Sequence, residues 1–283
     1  MTHVIHRFSI RALCFALLVL LALCTPRLMQ RAYPQTPAQA TQAAPPKFAL
    51  LEYLKIEPGK NADYRKDERD VWMPIHRERI KAGAIRAWWQ WLVRYPGGLA
   101  REYDVVLITT FDKFTDLETP YPPAVFASFA KEHPEKKMAD VLAYTGSLRK
   151  MVRSEVVQVL DSIQPTALPK FMSLNFMKTE PGKGPAYVEI SRKYWKPLWQ
   201  ERITRGGMCG WALTALRFPG GSDREYSHVS VDLFDKFEQM EALPAGILEK
   251  VHPGLKYADI SAQTNAARRQ VRTELLALGD YVQ

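Results

Sequence analysis

Residues 95–114, YPGGLAREYDVVLITTFDKF, and residues 218–237, FPGGSDREYSHVSVDLFDKF, are two versions of one passage. The match extends upstream. Residues 48–114 align with 171–237 at a constant offset of 123, without a gap and with 28 of 67 positions identical. EPGK at 57–60 returns at 180–183, Trp72 and Pro74 return as Trp195 and Pro197, and ERI at 78–80 returns at 201–203. Beyond the passage the offset becomes 119, pairing His133-Pro134 with His252-Pro253 and Arg153 with Arg272. Self-similarity over this length marks a duplicated structural unit. The chain therefore divides into a first unit at 47–165 and a second at 166–283.

Each unit spells out the same elements. FALLEYLKI at 48–56 predicts a strand ended by the Pro-Gly turn at 58–59. Residues 61–82 predict a helix closing at Gly83, with Pro74 as a kink or break. Residues 85–94 and 102–111 predict two strands joined across YPGGLA, where Gly97 and Gly98 supply the turn. Asp112 stands where a helix N-cap is wanted. Helix then fills 113–150, and 155–160 form a last strand, with 274–282 as its counterpart in the second unit. The order β-α-β-β-α-β is the ferredoxin-like arrangement. The second strand is apolar in both phases, with Ala87, Trp89, Trp91 and Val93 on one side and Trp88 and Leu92 on the other. A strand buried on both faces needs two cover layers. Helices supply one, and the sheet of the other unit supplies the second.

With its tandem units, PGG hairpin and FDKF after the third strand, the chain over 48–283 resembles the dimeric α/β-barrel superfamily. It is broadly similar to antibiotic-biosynthesis-monooxygenase-like and NIPSNAP-like members. The resemblance implies an α+β fold of two ferredoxin-like units packed sheet to sheet as a fused dimer, so that the repeats pair within one chain. It implies cofactor-free oxygenases or isomerases as one functional class and haem-binding or haem-degrading proteins as another. A non-catalytic binding or structural module is the third reading, because fold alone does not assign function.

The N-terminus reads as an address. Arg7 and Arg11 precede a 13-residue apolar run, ALCFALLVLLALC, at 12–24. That pattern is a secretory signal peptide over 1–24, too short for a permanent span. Residues 25–46 hold five prolines and no acid and read as a linker. The expected location is periplasmic or extracellular, or membrane-anchored if the signal is retained. The formal charge of +9 falls to +5 without residues 1–40, with 35 basic against 30 acidic side chains left. So small an excess argues against a nucleic-acid partner. Only Cys209 lies in the body of the chain, so no internal disulfide is available. Walker A, G-x-G-x-x-G, H-E-x-x-H and C-x-x-C patterns are absent. No metal site is predicted, and no cofactor is expected unless haem.

The candidate site residues follow from the repeat. Tyr64, Trp72, Trp88 and Tyr103 recur as Tyr187, Trp195, Trp211 and Tyr226, and predict an aromatic pocket between helix and sheet for a small hydrophobic or aromatic ligand. Large aromatics are also ordinary core residues. Arg94 and Arg217 offer guanidinium groups to an anionic ligand. The pairs Glu78-Arg79 and Arg101-Glu102, with their counterparts, are expected to bond across the two units. His133 and His252 read as helix C-terminal residues before proline, or as a haem ligand or general base. His76 has Trp199 as its mate, which confines any role of His76 to one half. The sharpest divergence is in the third strands, where Val105, Leu107 and Thr109 correspond to His228, Ser230 and Asp232. These lie on one strand face, about 7 Å apart in steps of two, too far for a hydrogen-bonded triad. His228 as proton acceptor with Asp232 nearby is the predicted catalytic pair.

Overall fold

The computed structural model describes residues 44–98 and 100–283. The signal segment and nearly all of the linker lie outside them. Strand β1 (Phe48–Ile56) alternates between the two faces of its sheet. The helix that follows comes in three parts: α1 (Asn61–Asp67), a π-turn (Glu68–Trp72) and α2 (Met73–Lys81). Pro74 has no N–H to give the preceding turn. The turn widens ahead of it instead, with Met73 N–H bonding to Glu68 O five residues back. The predicted kink is therefore a π-bulge, a feature concentrated at functional sites. Strands β2 (Ala87–Tyr95) and β3 (Val105–Phe111) form the hairpin, and α3 (Pro123–Glu132) and α4 (Met138–Leu148) lead to β4 (Arg149–Ile163).

The second unit repeats this order. It runs β5 (Phe171–Thr179), α5 (Gly184–Ile190), a π-turn (Ser191–Trp195), α6 (Lys196–Thr204), β6 (Gly210–Phe218), β7 (His228–Phe234), α7 (Ile247–Val251), α8 (Tyr257–Ala267) and β8 (Arg268–Val282). Two local expectations are corrected. Asp112 caps no helix. It accepts from Arg86 Nε at 2.5 Å, while Asp116 bonds the Lys113 N–H at the head of a short 3-10 turn. The last strand of each unit is also much longer than predicted, because the mixed, largely exposed residues 149–154 keep pairing with β1 down to Ile56–Arg149.

Strands β4-β1-β3-β2 and β8-β5-β7-β6 are two ferredoxin-like sheets. They join edge to edge through β2–β8 and β4–β6, closing one eight-stranded antiparallel barrel. Residues 45–283 form a single compact unit. Among the described residues, closure leaves no strand edge exposed. The inward face carries Leu51, Tyr53, Trp91, Val93, Leu174, Phe176 and Leu276, so the barrel interior is packed core rather than a chamber. The outward face carries Leu54, Trp88 and Leu107 in the first unit and Met177, Trp211 and Leu213 in the second, each set covered by its own helices. Both faces of β2 are thus buried, as its sequence requires.

Tyrosines hold the two units together inside the barrel. Tyr226 of the second unit donates to Glu155 of the first, and Tyr103 of the first donates to Glu274 of the second. The expected Arg–Glu pairs do not cross. Arg153 binds Glu102, and Arg272 binds Glu225, each within its own unit. The segment that carries Glu102 leads into β3, which is separated from β4 by β1 alone, and the long Arg153 side chain spans that strand.

Candidate functional site

The helical cover of the first unit does not fill the space beneath it. A cavity of about 120 Å3 remains between the outward face of its sheet and the helices. Glu52 on β1, Trp88 on β2, Leu107 on β3 and Arg149 at the start of β4 form its floor. Glu68 and Trp72 from the π-turn, His76 from α2, Tyr121, Phe126 and Leu142 form its roof. Leu142 is half exposed and marks the mouth. The π-turn sets the roof: its extra width carries Glu68 and Trp72 inward at its two ends.

Glu68 is 1% exposed, neither carboxylate oxygen has a well-formed hydrogen bond, and the Tyr64 hydroxyl is a donor near enough to lower its pKa. Burial is the largest influence on it and pushes its pKa up to about 7, against the pull of Arg149 and Tyr64. Arg149 Nε lies 3.9 Å from Glu68 Oε1, beyond hydrogen-bond reach, and is itself buried without a hydrogen bond. Trp88 Nε1–H is buried and unpartnered too. Its counterpart, Trp211 Nε1–H, donates to Ser230 Oγ at 3.1 Å, and Leu107 holds the position of Ser230. Buried polar groups are nearly always bonded, so three unpartnered ones around one cavity call for an explanation. Glu52 is also raised by burial, and His76 is held well below the usual imidazole range, first by burial and then by Arg79 and Arg149. His76 stacks on Trp88 with centroids 4.7 Å apart, and Arg79 Nη1 lies 3.0 Å from its Nδ1.

The equivalent place in the second unit is built differently. Ser191 replaces Glu68 and bonds Tyr187 O, Asn175 replaces Glu52, and the indole of Trp199 replaces His76. Trp199 packs against the outward cluster of that unit and stacks on Trp195 at 5.5 Å. One half thus has two acids beside a cavity, where the other has Ser191, Asn175, an added indole and a single acid, Asp232, which Asn175 bonds.

The predicted residues divide among several environments. Trp72 and Trp88 line the cavity, and Tyr64 is buried next to it, its hydroxyl accepting from Gln90 Nε2 at 3.2 Å. Tyr187 and Trp211 lie in the covered layer of the second unit, and Trp195 bonds Thr264 Oγ1 at 2.9 Å. Tyr103 and Tyr226 are corrected: they point into the barrel and not between helix and sheet, because their hydroxyls pair with Glu274 and Glu155. Arg94 and Arg217 are exposed near the hairpins, away from the cavity.

His228 and Asp232 share the outward face of β7 but do not line the cavity. His228 Nδ1 lies 2.9 Å from Ser227 Oγ, and burial lowers its pKa to about 4. Asp232 accepts from Asn175 Nδ2 at 2.9 Å, and burial raises it to about 6. A histidine of pKa about 4 is a weak proton acceptor at neutral pH. Because the folded state resists protonating His228, stability falls as pH drops from the unfolded value of 6.5 through 4. NMR titration of its ring protons should place the midpoint near 4, and a midpoint near 6.5 would contradict the environment described.

His133 and His252 both cap helices, as their His-Pro context predicts, with His252 Nε2 bonded to Tyr194 O at 3.0 Å. Haem does not fit these residues. The cavity is well below the roughly 300–1,000 Å3 of ordinary small-molecule sites, and the ring of His76 is stacked flat against Trp88. Among the described residues no cluster of acids, histidines and cysteines could hold a metal ion, and no helix is long and apolar enough to cross a membrane.

The sequence asymmetry already contained this site. Comparing the two copies for polar residues gained in the second unit finds His228 and Asp232. The same comparison run the other way finds Glu52, Glu68 and His76.

No protein-family model and no curated protein matches the chain. Solved structures do. It is similar to a "putative monooxygenase" from Lactobacillus acidophilus, with a TM-score of 0.53, 11% identity, and 84% of this chain and 96% of the other covered. A second "putative monooxygenase", from Fusobacterium nucleatum, gives 0.51 and 9%, covering 84% and 94%. A heme-binding protein from Thermus thermophilus gives 0.46 and 8%, covering 83% and 92%, too distant to carry weight. The first two likenesses show the dimeric α/β-barrel fold.

Proposed function

We propose that the chain is a small-molecule enzyme whose first chemical step removes a proton from a carbon next to a carbonyl, with Glu68 as the base. The observation that carries this reading is the buried Glu68 carboxylate, without a well-formed hydrogen bond, facing a cavity and with its pKa pushed up to about 7. A base works best when its pKa lies near the operating pH. Arg149 stands opposite to balance the negative charge passed to the substrate. The walls, Trp72, Trp88, Leu107 and Phe126, suit a small hydrophobic or aromatic skeleton. At about 120 Å3 the cavity is smaller than the apolar cavity of about 150 Å3 that accommodates benzene, which favours the smallest such skeletons. Proton removal is the step that isomerases and cofactor-free oxygenases share. Isomerases return the proton to another carbon, and oxygenases pass the carbanion to O2. The likeness to proteins described as monooxygenases favours the second without deciding it. The apolar run at 12–24 leads us to infer export as well.

The test is hydrogen exchange. Residues 41–283 are incubated in D2O with a panel of small aliphatic and cyclic ketones, and α-deuteration is followed by mass spectrometry. Wild type should exchange at least one panel member, and Glu68→Gln should slow it roughly 10²–10⁴-fold, the range for loss of a positioned base. Exchange that is equally fast in Glu68→Gln, or absent across the panel, would end the proposal.

A further inference from the structure

We propose that His76 is the hydrogen-bond donor to the substrate: Arg79 holds its ring as the neutral Nε2–H tautomer, and that hydrogen is offered to the carbonyl oxygen of a small, apolar aldehyde or ketone beside Glu68. This deepens the proton-abstraction reading and rests on its site.

The tautomer follows from donor counting. A guanidinium has five N–H donors and no acceptor. Arg79 Nη1 sits 3.0 Å from His76 Nδ1, so Nδ1 must supply a lone pair. The one ring proton is therefore on Nε2. Arg79 is not free to turn away, because its Nε donates to Pro120 O at 2.7 Å and its guanidinium lies 4.1 Å over the Tyr121 ring. The imidazole is fixed as well, buried and stacked on Trp88. Among the described residues Nε2 has no hydrogen-bond partner, although the ring lines the cavity.

The second unit separates scaffold from site. Arg202, the counterpart of Arg79, is also held by backbone carbonyls, its Nε donating to Gly207 O at 2.9 Å and its Nη2 to Gln239 O. Its neighbour three residues earlier is Trp199, which has no Nδ1 to accept from it. The anchored arginine is thus a property of the fold, and the histidine stands only beside the cavity.

The chemistry selects the substrate. Glu52, Glu68 and Arg149 line the cavity and Arg79 stands behind His76, so acids and guanidinium groups offset one another and a neutral molecule enters at least electrostatic cost. When Glu68 takes the α-proton, the C–H electron pair forms a C=C bond and the carbonyl π pair moves onto oxygen. That oxygen becomes an enolate and binds the Nε2–H more tightly than the ketone did. A neutral imidazole serves this purpose because it donates without first giving up its proton, a pattern known from other proton-abstracting enzymes.

Two measurements test the proposal. The first needs no ligand: 15N NMR of the histidine rings should show an unprotonated Nδ1 and a protonated Nε2 at His76 between pH 6 and 8. A proton on Nδ1 would overturn it. The second uses trimethylacetaldehyde, which has no α-hydrogen and so binds without reacting. The infrared C=O band of the bound aldehyde should move to lower frequency in wild type. Glu68→Gln should keep that shift, so that loss of the base and loss of the donor are told apart. His76→Gln, whose carboxamide reaches the Nε2 position, should keep it at least in part, and His76→Asn and His76→Phe should lose it. A shift that persists in His76→Phe, or no saturable binding to wild type, would overturn the assignment.

Discussion

Glu68→Gln makes the protein more stable at pH 8 and leaves it unchanged at pH 4. The folded pKa of Glu68 is about 7, against 4.5 for an unperturbed carboxyl. Between those values the folded state holds a proton that the unfolded state has released, so stability falls as pH rises through the window from 4.5 to 7. Every tenfold difference in proton affinity between the two states is worth about 1.4 kcal/mol, so the full penalty above pH 7 is about 3 kcal/mol. Arg149 is already included in that balance. At 3.9 Å a pair in a protein-like dielectric attracts by about 4 kcal/mol, while removing each ion from water costs several, and the raised pKa says that desolvation wins. Glutamine is nearly isosteric and carries no charge, so it recovers up to about 3 kcal/mol at pH 8. For a body of this size that is several degrees in melting temperature. The check is a pair of urea denaturations, wild type and variant, at pH 4 and pH 8. A loss of stability at pH 8 would mean that Glu68 is a structural partner of Arg149 and would remove the strongest argument for a base there. A residue that is costly to folding and aimed into a cavity is what a trade of stability for activity leaves behind.

Much of this fold is legible in the sequence. Hydrophobic patterning and turn residues are local, and the duplication doubles each local signal. Strand β1 can be read to its true ends because its apolar stretch stops at the Pro-Gly turn. The burial of both faces of β2 follows from Trp88 and Trp91 pointing opposite ways. Three kinds of feature are less legible. Pro74 announces a disturbance, but a π-turn depends on how the helix packs over the sheet, and composition does not carry that. The long strands β4 and β8 begin in mixed, partly exposed residues whose only reason to extend is a partner strand far away in the chain. The site itself is half visible. Trp72 and Trp88 stand out for their repetition, whereas Glu52, Glu68 and His76 are marked by not repeating. An acid at position 68 reads as a solvated helix residue until the sheet is placed beneath it. Tyr103 and Tyr226 go the other way, because they stand just ahead of β3 and β7, and the sequence does not say that this approach turns into a barrel not yet closed.

The largest loss of stability is expected from Glu155→Ala. Glu155 is 5% exposed inside the barrel and receives Tyr53 Oη–H at 2.9 Å as well as Tyr226 Oη–H from the other unit. Arg153 Nε stands 3.3 Å from its second oxygen, with the guanidinium 4.0 Å over the Tyr53 ring. Removing the carboxylate strands two buried phenols and weakens the hold on a half-buried cation. Breaking a buried charge cluster by deleting one partner costs about 3–5 kcal/mol. Tyr226→Phe removes one bond and leaves the charge paired, so about 1–2 kcal/mol is expected there. Glu274→Ala should mirror Glu155→Ala, since Glu274 receives Tyr103 Oη–H across the same boundary and Arg272 Nε at 2.8 Å. The position of these contacts matters as much as their number. Each glutamate is bonded to a tyrosine of the opposite unit, and the two sheets share both of their seams, β2–β8 and β4–β6. Neither half can open while the other stays closed without exposing the common interior. The loss should therefore appear as a lower midpoint of one cooperative transition, with tryptophan fluorescence and far-ultraviolet circular dichroism coincident in urea. A cost below about 1 kcal/mol for Glu155→Ala, or two separated transitions in wild type, would contradict an interior locked across the repeat.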